Sequence, residues 1–271
     1  MDGVTSLRWE WIAVAYYAYL TIVSFVDRRF VRARAGAVAA TAVWCAVLGL
    51  RPFGGDAFAP DTVAFTLLVP LAVLLGGYWL SGLFFVTANS RLEKWLVAID
   101  DRLIRRPGIL AAYESSPRIV HEVAEMAYLL VYLVIPAGIA VLTLGGRADA
   151  VPRFWAVVLL AEFISYGMLP WLQTRPPRAV ENDRHPGSTL RRFNGAILSR
   201  GSIQVNTLPS GHAAGAVATA LAVGDAMPLA GAVFLLLAAA IVAATMVGRY
   251  HYLIDSFLGV VVAVAAWLLY R

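Results

Sequence analysis

Charge is what this chain has least of. Only 14% of its 271 residues are Asp, Glu, Lys or Arg, against about 25% in a soluble globular domain. That is too little charge to cover a water-facing surface. Cysteine occurs once, at Cys45, which excludes a disulfide within the chain; in the apolar run Ala-Val-Trp-Cys-Ala-Val it reads as a small core residue. Lysine also occurs once, at Lys94, so the formal net charge of +5 rests on arginine. Disorder requires low hydrophobicity and high net charge, and it is excluded by 60% hydrophobic residues and a mean hydropathy of +0.72. Length alone would permit one or two soluble domains, but the composition leaves an integral membrane protein. Its arginines then serve topology and anionic headgroups rather than a nucleic acid. The first apolar run opens near Trp11 and reaches Asp27-Arg28-Arg29 with no small-residue cleavage site, so no cleavable signal peptide is expected.

Runs of the length a spanning helix needs, about 17–25 mostly apolar residues, lie near 10–26, 35–50, 62–86, 122–144, 153–173, 210–226, 228–247 and 252–270. The fold expected is therefore all-α, a polytopic transmembrane bundle of about eight spans. Pro70 inside the long third run suggests a tilt or kink. Residues 87–121 are polar but place Leu92, Trp95, Leu96, Ile99 and Leu103 at helical spacing, which fits an amphipathic helix in the interface. Trp9, Trp11, Tyr78, Trp79, Trp171 and Tyr270 stand at span ends and read as interface anchors. No internal repeat or low-complexity tract is visible. Eight spans put 17 of the 22 basic residues on one side, which the positive-inside rule makes cytoplasmic.

Three clusters lie at helix ends on that side: Thr174-Arg175-Pro176-Pro177-Arg178, Leu208-Pro209-Ser210-Gly211-His212, and Gly248-Arg249-Tyr250-His251-Tyr252-Leu253-Ile254-Asp255. Ser210 and Gly211 open a helix, where free N–H groups and the positive dipole end attract an anion, and Gly211 lets the backbone approach a ligand. His251 and Asp255 are four apart and share a helix face. A carboxylate there can hold one ring nitrogen protonated and leave the other free as nucleophile or base. Two histidines and arginines around an anion pocket suit phosphoryl transfer: one imidazole attacks, one protonates the leaving oxygen, and guanidinium groups bind the remaining oxygens.

In this order and at these helix ends, the three clusters resemble the signature of the phosphatidic acid phosphatase type 2 superfamily, which also contains vanadium haloperoxidases. The resemblance covers roughly residues 122–271, with weaker similarity around 91–106. It implies a six-helix core, with 1–60 as two additional membrane helices and 61–271 as the catalytic membrane domain, its core motifs within 174–255. It also implies His251 as the nucleophile that becomes phosphohistidine, Asp255 as its orienting partner, His212 as general acid, and Arg175, Ser210 and Gly211 as phosphate contacts. No metal and no cofactor are implied. Two positions depart from the family pattern: Met168 stands where a lysine precedes the first arginine, and Thr245 where an arginine precedes the last histidine. Arg249, two before His251, gives a compact form similar to inositolphosphorylceramide and sphingomyelin synthases, with Arg249 as a further phosphate contact.

The function expected is a membrane lipid phosphate or pyrophosphate phosphatase. The alternatives are a phosphotransferase passing the headgroup to a lipid or polyol hydroxyl, and, in another class, a non-enzymatic lipid-anion transporter or scaffold. A soluble haloperoxidase is excluded by the hydropathy. The expected partners are a lipid-linked phosphate and the membrane, a bacterial-type inner one, with no obligate protein partner. The resemblance places the site on the extracytoplasmic side and the charge count on the cytoplasmic side. Arg178, Arg184 and mid-span Glu162 are further candidates; Arg191, Arg192 and Arg200 read as headgroup contacts or loop charges, and His185 as loop. His121-Glu122-x-x-Glu125 lacks the second histidine of a metalloprotease helix and reads as an interfacial helix start.

Overall fold

The structure, a computed structural model, describes residues 9–50, 67–181 and 188–271; Arg184, His185 and the opening of the third apolar run lie outside them. The described residues form helices and no strand. In chain order they are α1 (Trp9–Val26), α2 (Arg34–Leu50), α3 (Val69–Gly82), α4 (Ser90–Asp100), α5 (Ile109–Glu114), α6 (Arg118–Leu129), α7 (Val131–Leu144), α8 (Val151–Gly167), α9 (Pro177–Val180), α10 (Thr189–Gly201), α11 (Gly211–Ala226), α12 (Pro228–Val247) and α13 (Leu253–Leu269).

Every expected apolar run contains such a helix, but length separates them. By length and apolarity α1 and α12 can cross a membrane, and a third span results if α6 and α7, bent by 57° at Leu130, count as one. The eight-span count is not reached on that measure. α3, α8, α11 and α13 have 14 to 17 residues, about 21–26 Å at 1.5 Å per residue against a hydrocarbon core of about 30 Å.

α8 and α11 form the centre. α8 buries Phe154, Trp155, Val158, Leu159 and Phe163 on all sides, and α11 is lined with Ala and Gly, so its neighbours α7, α8, α12 and α13 approach closely. α12 is one-sided by contrast, burying Phe234, Ala238 and Ile241 and exposing Leu229, Val233 and Leu236, as expected of a helix facing lipid. α1 is tied to α3 and α8 by three tyrosines. Tyr16 stacks on Phe163 at 4.0 Å and donates to Gly77 O, Tyr17 donates to Val73 O, and Tyr19 to Gly167 O. Each buried hydroxyl thus finds an acceptor.

Three sequence expectations change. Cys45 is exposed on α2 rather than in the core, because an apolar residue of a membrane helix has lipid as a second apolar environment. Pro70 is the second residue of α3 and follows π-helical Leu67 and Leu68, so the helix changes its winding at the proline, in keeping with the irregularity expected there. Trp9 is buried in the core, and Tyr78 bonds Ser202 Oγ and the Ile203 N–H beside the site, so neither is an interface anchor. In α4 the buried face is Glu93, Leu96 and Asp100, with Trp95 exposed; two carboxylates seven apart point inward from a helix whose apolar residues first suggested the orientation.

The turns after α1, α3, α8 and α12 gather at one end. Phe30 packs on Phe84, Gln173 accepts from the Val86 and Thr87 N–H groups, and the Arg178 N–H donates to Arg249 O. At the opposite end Arg153 pairs with Asp225 and the Trp267 indole donates to the same carboxylate.

Candidate active site

The three motifs meet at the first of these ends through their backbones. Thr174 and Asn206 form an isolated antiparallel bridge, and the Ser210 N–H donates to Asp255 O at 2.9 Å. Asn206 joins all three: its Nδ2 donates to Thr174 Oγ1 at 3.0 Å and to Asp255 Oδ2 at 2.8 Å. The Tyr252 N–H also donates to Asp255 Oδ2, at 3.1 Å, closing a capping box on α13.

The histidines are delivered by two helix ends. α12 stops at Gly248, Arg249 takes a left-handed φ of 58°, and the Tyr250 and His251 N–H groups return to Thr245 O. This reversal turns His251 toward α11, whose second residue is His212. His251 Nε2 stands 3.3 Å from His212 Nδ1, and His251 Nδ1 lies 3.6 Å from Asp255 Oδ2. Burial lowers the His251 pKa to about 3, with the Arg178 guanidinium adding to the effect, so at neutral pH the ring is an uncharged base.

A cavity of about 40 Å³ holds His212, His251, Thr207, Tyr128, Tyr250 and Arg178 on its walls. Arg178 is the one arginine of the described residues that lines it, and its guanidinium lies 5.0 Å over the Tyr250 ring. Tyr250 stacks on Tyr128 at 3.6 Å, and Tyr128 stacks on His212. A second, mostly apolar cleft of about 190 Å³ adjoins it and shares Tyr78, Tyr166, Leu198 and His212 with it.

Not every expected phosphate contact reaches this cavity. Arg175 forks onto Glu93, Nε to Oε1 at 3.0 Å and Nη2 to Oε2 at 2.9 Å. Burial alone would raise the Glu93 carboxyl, but the bonds from Arg175 outweigh it and hold the pKa below the usual range. Arg249 is buried between Asp100 (2.7 Å) and Glu181 (2.6 Å). α4 thus supplies the carboxylates that hold the arginines of the first and third motifs. Two N–H groups at the start of α11 are also engaged, Gly211 by Thr207 Oγ1 and Ala213 by Ser210 Oγ. Gly211 is required by packing as well, since a Cβ there would lie 2.7 Å from the Tyr166 ring.

One departure from the family pattern, Thr245, acquires a reason. Thr245 is fully buried and its Oγ1 meets Ser256 Oγ at 3.1 Å between α12 and α13, where no arginine fits. His121 bonds Ser116 O, Glu122 caps α10 by accepting from Thr189 and Leu190, and Glu125 receives Arg191, Asn194 and Tyr250. Asn206, Tyr128 and Thr207 escaped sequence reasoning, and Tyr250 entered it only as a member of the third cluster. Of these only Asn206, a polar residue four before Ser210, carried a local signal.

No curated protein and no solved structure matches the chain. The sequence profile described as the PAP2 superfamily matches residues 94–269, from within α4 to the end of α13. With the motifs joined by the contacts above and well over half of the chain matched, this is a membrane protein that belongs to the PAP2 superfamily, a membership that points to phosphatase or phosphotransferase activity.

Proposed function

We propose that the protein is a metal-independent lipid phosphate or pyrophosphate phosphatase that works through a phosphohistidine at His251. The observation that carries this reading is the convergence of His251 Nε2 and His212 Nδ1, 3.3 Å apart, on a cavity that holds Arg178 and adjoins an apolar cleft. In the first step His251 Nε2 bonds to phosphorus, the ester P–O bond breaks, and His212 gives a proton to the departing alkoxide. In the second, water attacks phosphorus, His212 takes its proton, and the P–N bond breaks to release phosphate. Asp255, held by Asn206 and the Tyr252 N–H, steadies the Nδ1 side of His251. Arg178 supplies the positive charge for the phosphoryl oxygens, while Arg175 and Arg249 fix the loops that carry the motifs.

The same reading takes the short helices as tilted or thinly bounded spans of an eight-span, multi-pass bundle. Reporter fusions after Arg34 and after Arg271 then report opposite faces of the membrane, and agreement between them refutes the count. The activity is tested with purified protein and phosphatidate, phosphatidylglycerol phosphate and polyprenyl pyrophosphate, without added metal. Phosphate release that His251→Ala abolishes while the protein stays folded is the expected result. Phosphoryl transfer to His251 without release would indicate an acceptor alcohol in place of water, as in the synthases whose compact motif is similar. Turnover that survives His251→Ala would refute the phosphohistidine, and an inert protein that binds lipid phosphates would be a transporter or scaffold.

A further inference from the structure

A carboxyl group stands in the apolar cleft beside the histidine pair and has no part in the mechanism above. Glu162 lies midway along α8, is 4% exposed, and is the one carboxylate on the walls of the 190 Å³ cleft. The surrounding walls include Leu74, Ile135, Pro136 and Tyr166, and His212 stands among them. Glu162 Oε2 makes no hydrogen bond of standard geometry among the described residues, and the donor that acts on the carboxyl is the Tyr166 hydroxyl one turn along α8. A buried acceptor left without a full hydrogen bond is costly, and the packing has kept room for it. A Cβ on Gly211 would lie 2.8 Å from Oε2, and one on Gly215 would overlap Oε1. The carboxyl therefore lies against α11 within a turn of His212.

His212 borders both spaces, the cavity with His251 and Arg178 and the cleft with Glu162. With phosphorus in the cavity that both histidines face, the alcohol that His212 protonates extends into the cleft, past Glu162. We propose that Glu162 forms a subsite for a hydroxyl carried by the lipid part of the substrate close to its phosphoester. The preferred substrate class is then a lipid phosphate with a free backbone hydroxyl, and Glu162 determines specificity by accepting that hydrogen bond. This rests on the lipid phosphatase reading, and its geometry involves no atom that changes bonds.

The test compares a monoacylglycerol phosphate with its deoxy counterpart, which lacks the free hydroxyl, as turnover substrates and as non-hydrolysable phosphonates for calorimetric binding. Wild type favours the hydroxyl compound by at least about tenfold in both readouts, because a site built to bond a hydroxyl rejects the analogue without it. Glu162→Leu removes the preference by weakening only the hydroxyl compound, and the near-isosteric Glu162→Gln narrows it. Equal treatment of both compounds by wild type, or equal loss for both in Glu162→Leu, overturns the proposal. If Glu162→Leu does not fold, an unchanged ratio in Glu162→Gln overturns it. Absence of turnover with every lipid phosphate would defeat the phosphatase reading alone, since the phosphonate binding ratio still measures the subsite.

Discussion

Asn206 and Asp255 are held together by a 2.8 Å hydrogen bond from Nδ2 to Oδ2, both side chains fully enclosed. The carboxylate that faces His251 is therefore aimed by a residue from the loop before α11. Asn206→Ala leaves a buried acceptor short of a donor, which costs about 1–3 kcal/mol, and lets Asp255 turn from His251. Thermal unfolding in detergent should show that loss, with kcat lowered about 10-fold or more and KM little changed. An unaltered kcat would show that the Asn206 bond is not needed to aim the carboxylate.

The arginines separate into holders and one that faces the cavity. Arg249→Ala leaves Asp100 buried without its charge partner, and removal of one member of such a pair costs about 3–5 kcal/mol. Arg175→Ala costs less, because that side chain is 48% exposed and water replaces part of what Glu93 loses. Arg178 has no carboxylate partner among the described residues, only its contact with Tyr250. Arg178→Ala should hold stability within about 1 kcal/mol and reduce turnover about 10²–10³-fold. Turnover and unfolding measured on the same three preparations distinguish these cases; a stable, inactive Arg249→Ala would return that arginine to the phosphate.

Acid should weaken the fold through His251. An exposed histidine titrates near 6.5, while burial, reinforced by Arg178, holds His251 to about 3. Between those values the unfolded chain binds a proton that the folded chain refuses, so stability rises with pH and is lost on acidification. From pH 7 to pH 5 this one group costs about 2 kcal/mol. His251→Gln, which cannot titrate, should show a pH dependence of unfolding shallower by that amount. Identical slopes would mean that the folded protein already holds the imidazolium.

The helices and the nearness of His251 to Asp255 were legible because both are written locally. Apolar runs mark α1, α7, α8, α12 and α13, and the short spacing of His251 and Asp255 brings them within 3.6 Å, although His251 sits in the turn before α13 and not on its face. The arginine roles were not legible, because what decides them is 68 to 149 residues away. Glu93 and Asp100 sit on a helix whose exposed Trp95 and buried Leu96 give no clear inward face, and only the meeting of α4 with the motif loops shows that their carboxylates are inside. The stacking of Tyr250 on Tyr128 was invisible for the same reason, since a stack across the bundle leaves no periodic trace. The span count rests on helix length, which the apolar runs overstated.

One chemical change, a methyl group added to glycine, should act in opposite directions at two positions. Gly195 lies on the exposed side of α10, and nothing stands within 4 Å of the place its methyl would take. Gly195→Ala therefore gains helix propensity and should stabilise by about 0.5–1 kcal/mol. At Gly215 the new methyl would overlap Glu162 Oε1, and overpacking of a close helix pair costs about 1–3 kcal/mol. Gly215→Ala should therefore lower the unfolding midpoint and displace the Glu162 carboxyl from the cleft. Glu162→Ala in the same chain removes the obstructing group, so the double variant should be more stable than the sum of the two single changes. Strict additivity would mean that α8 and α11 do not meet at these two residues.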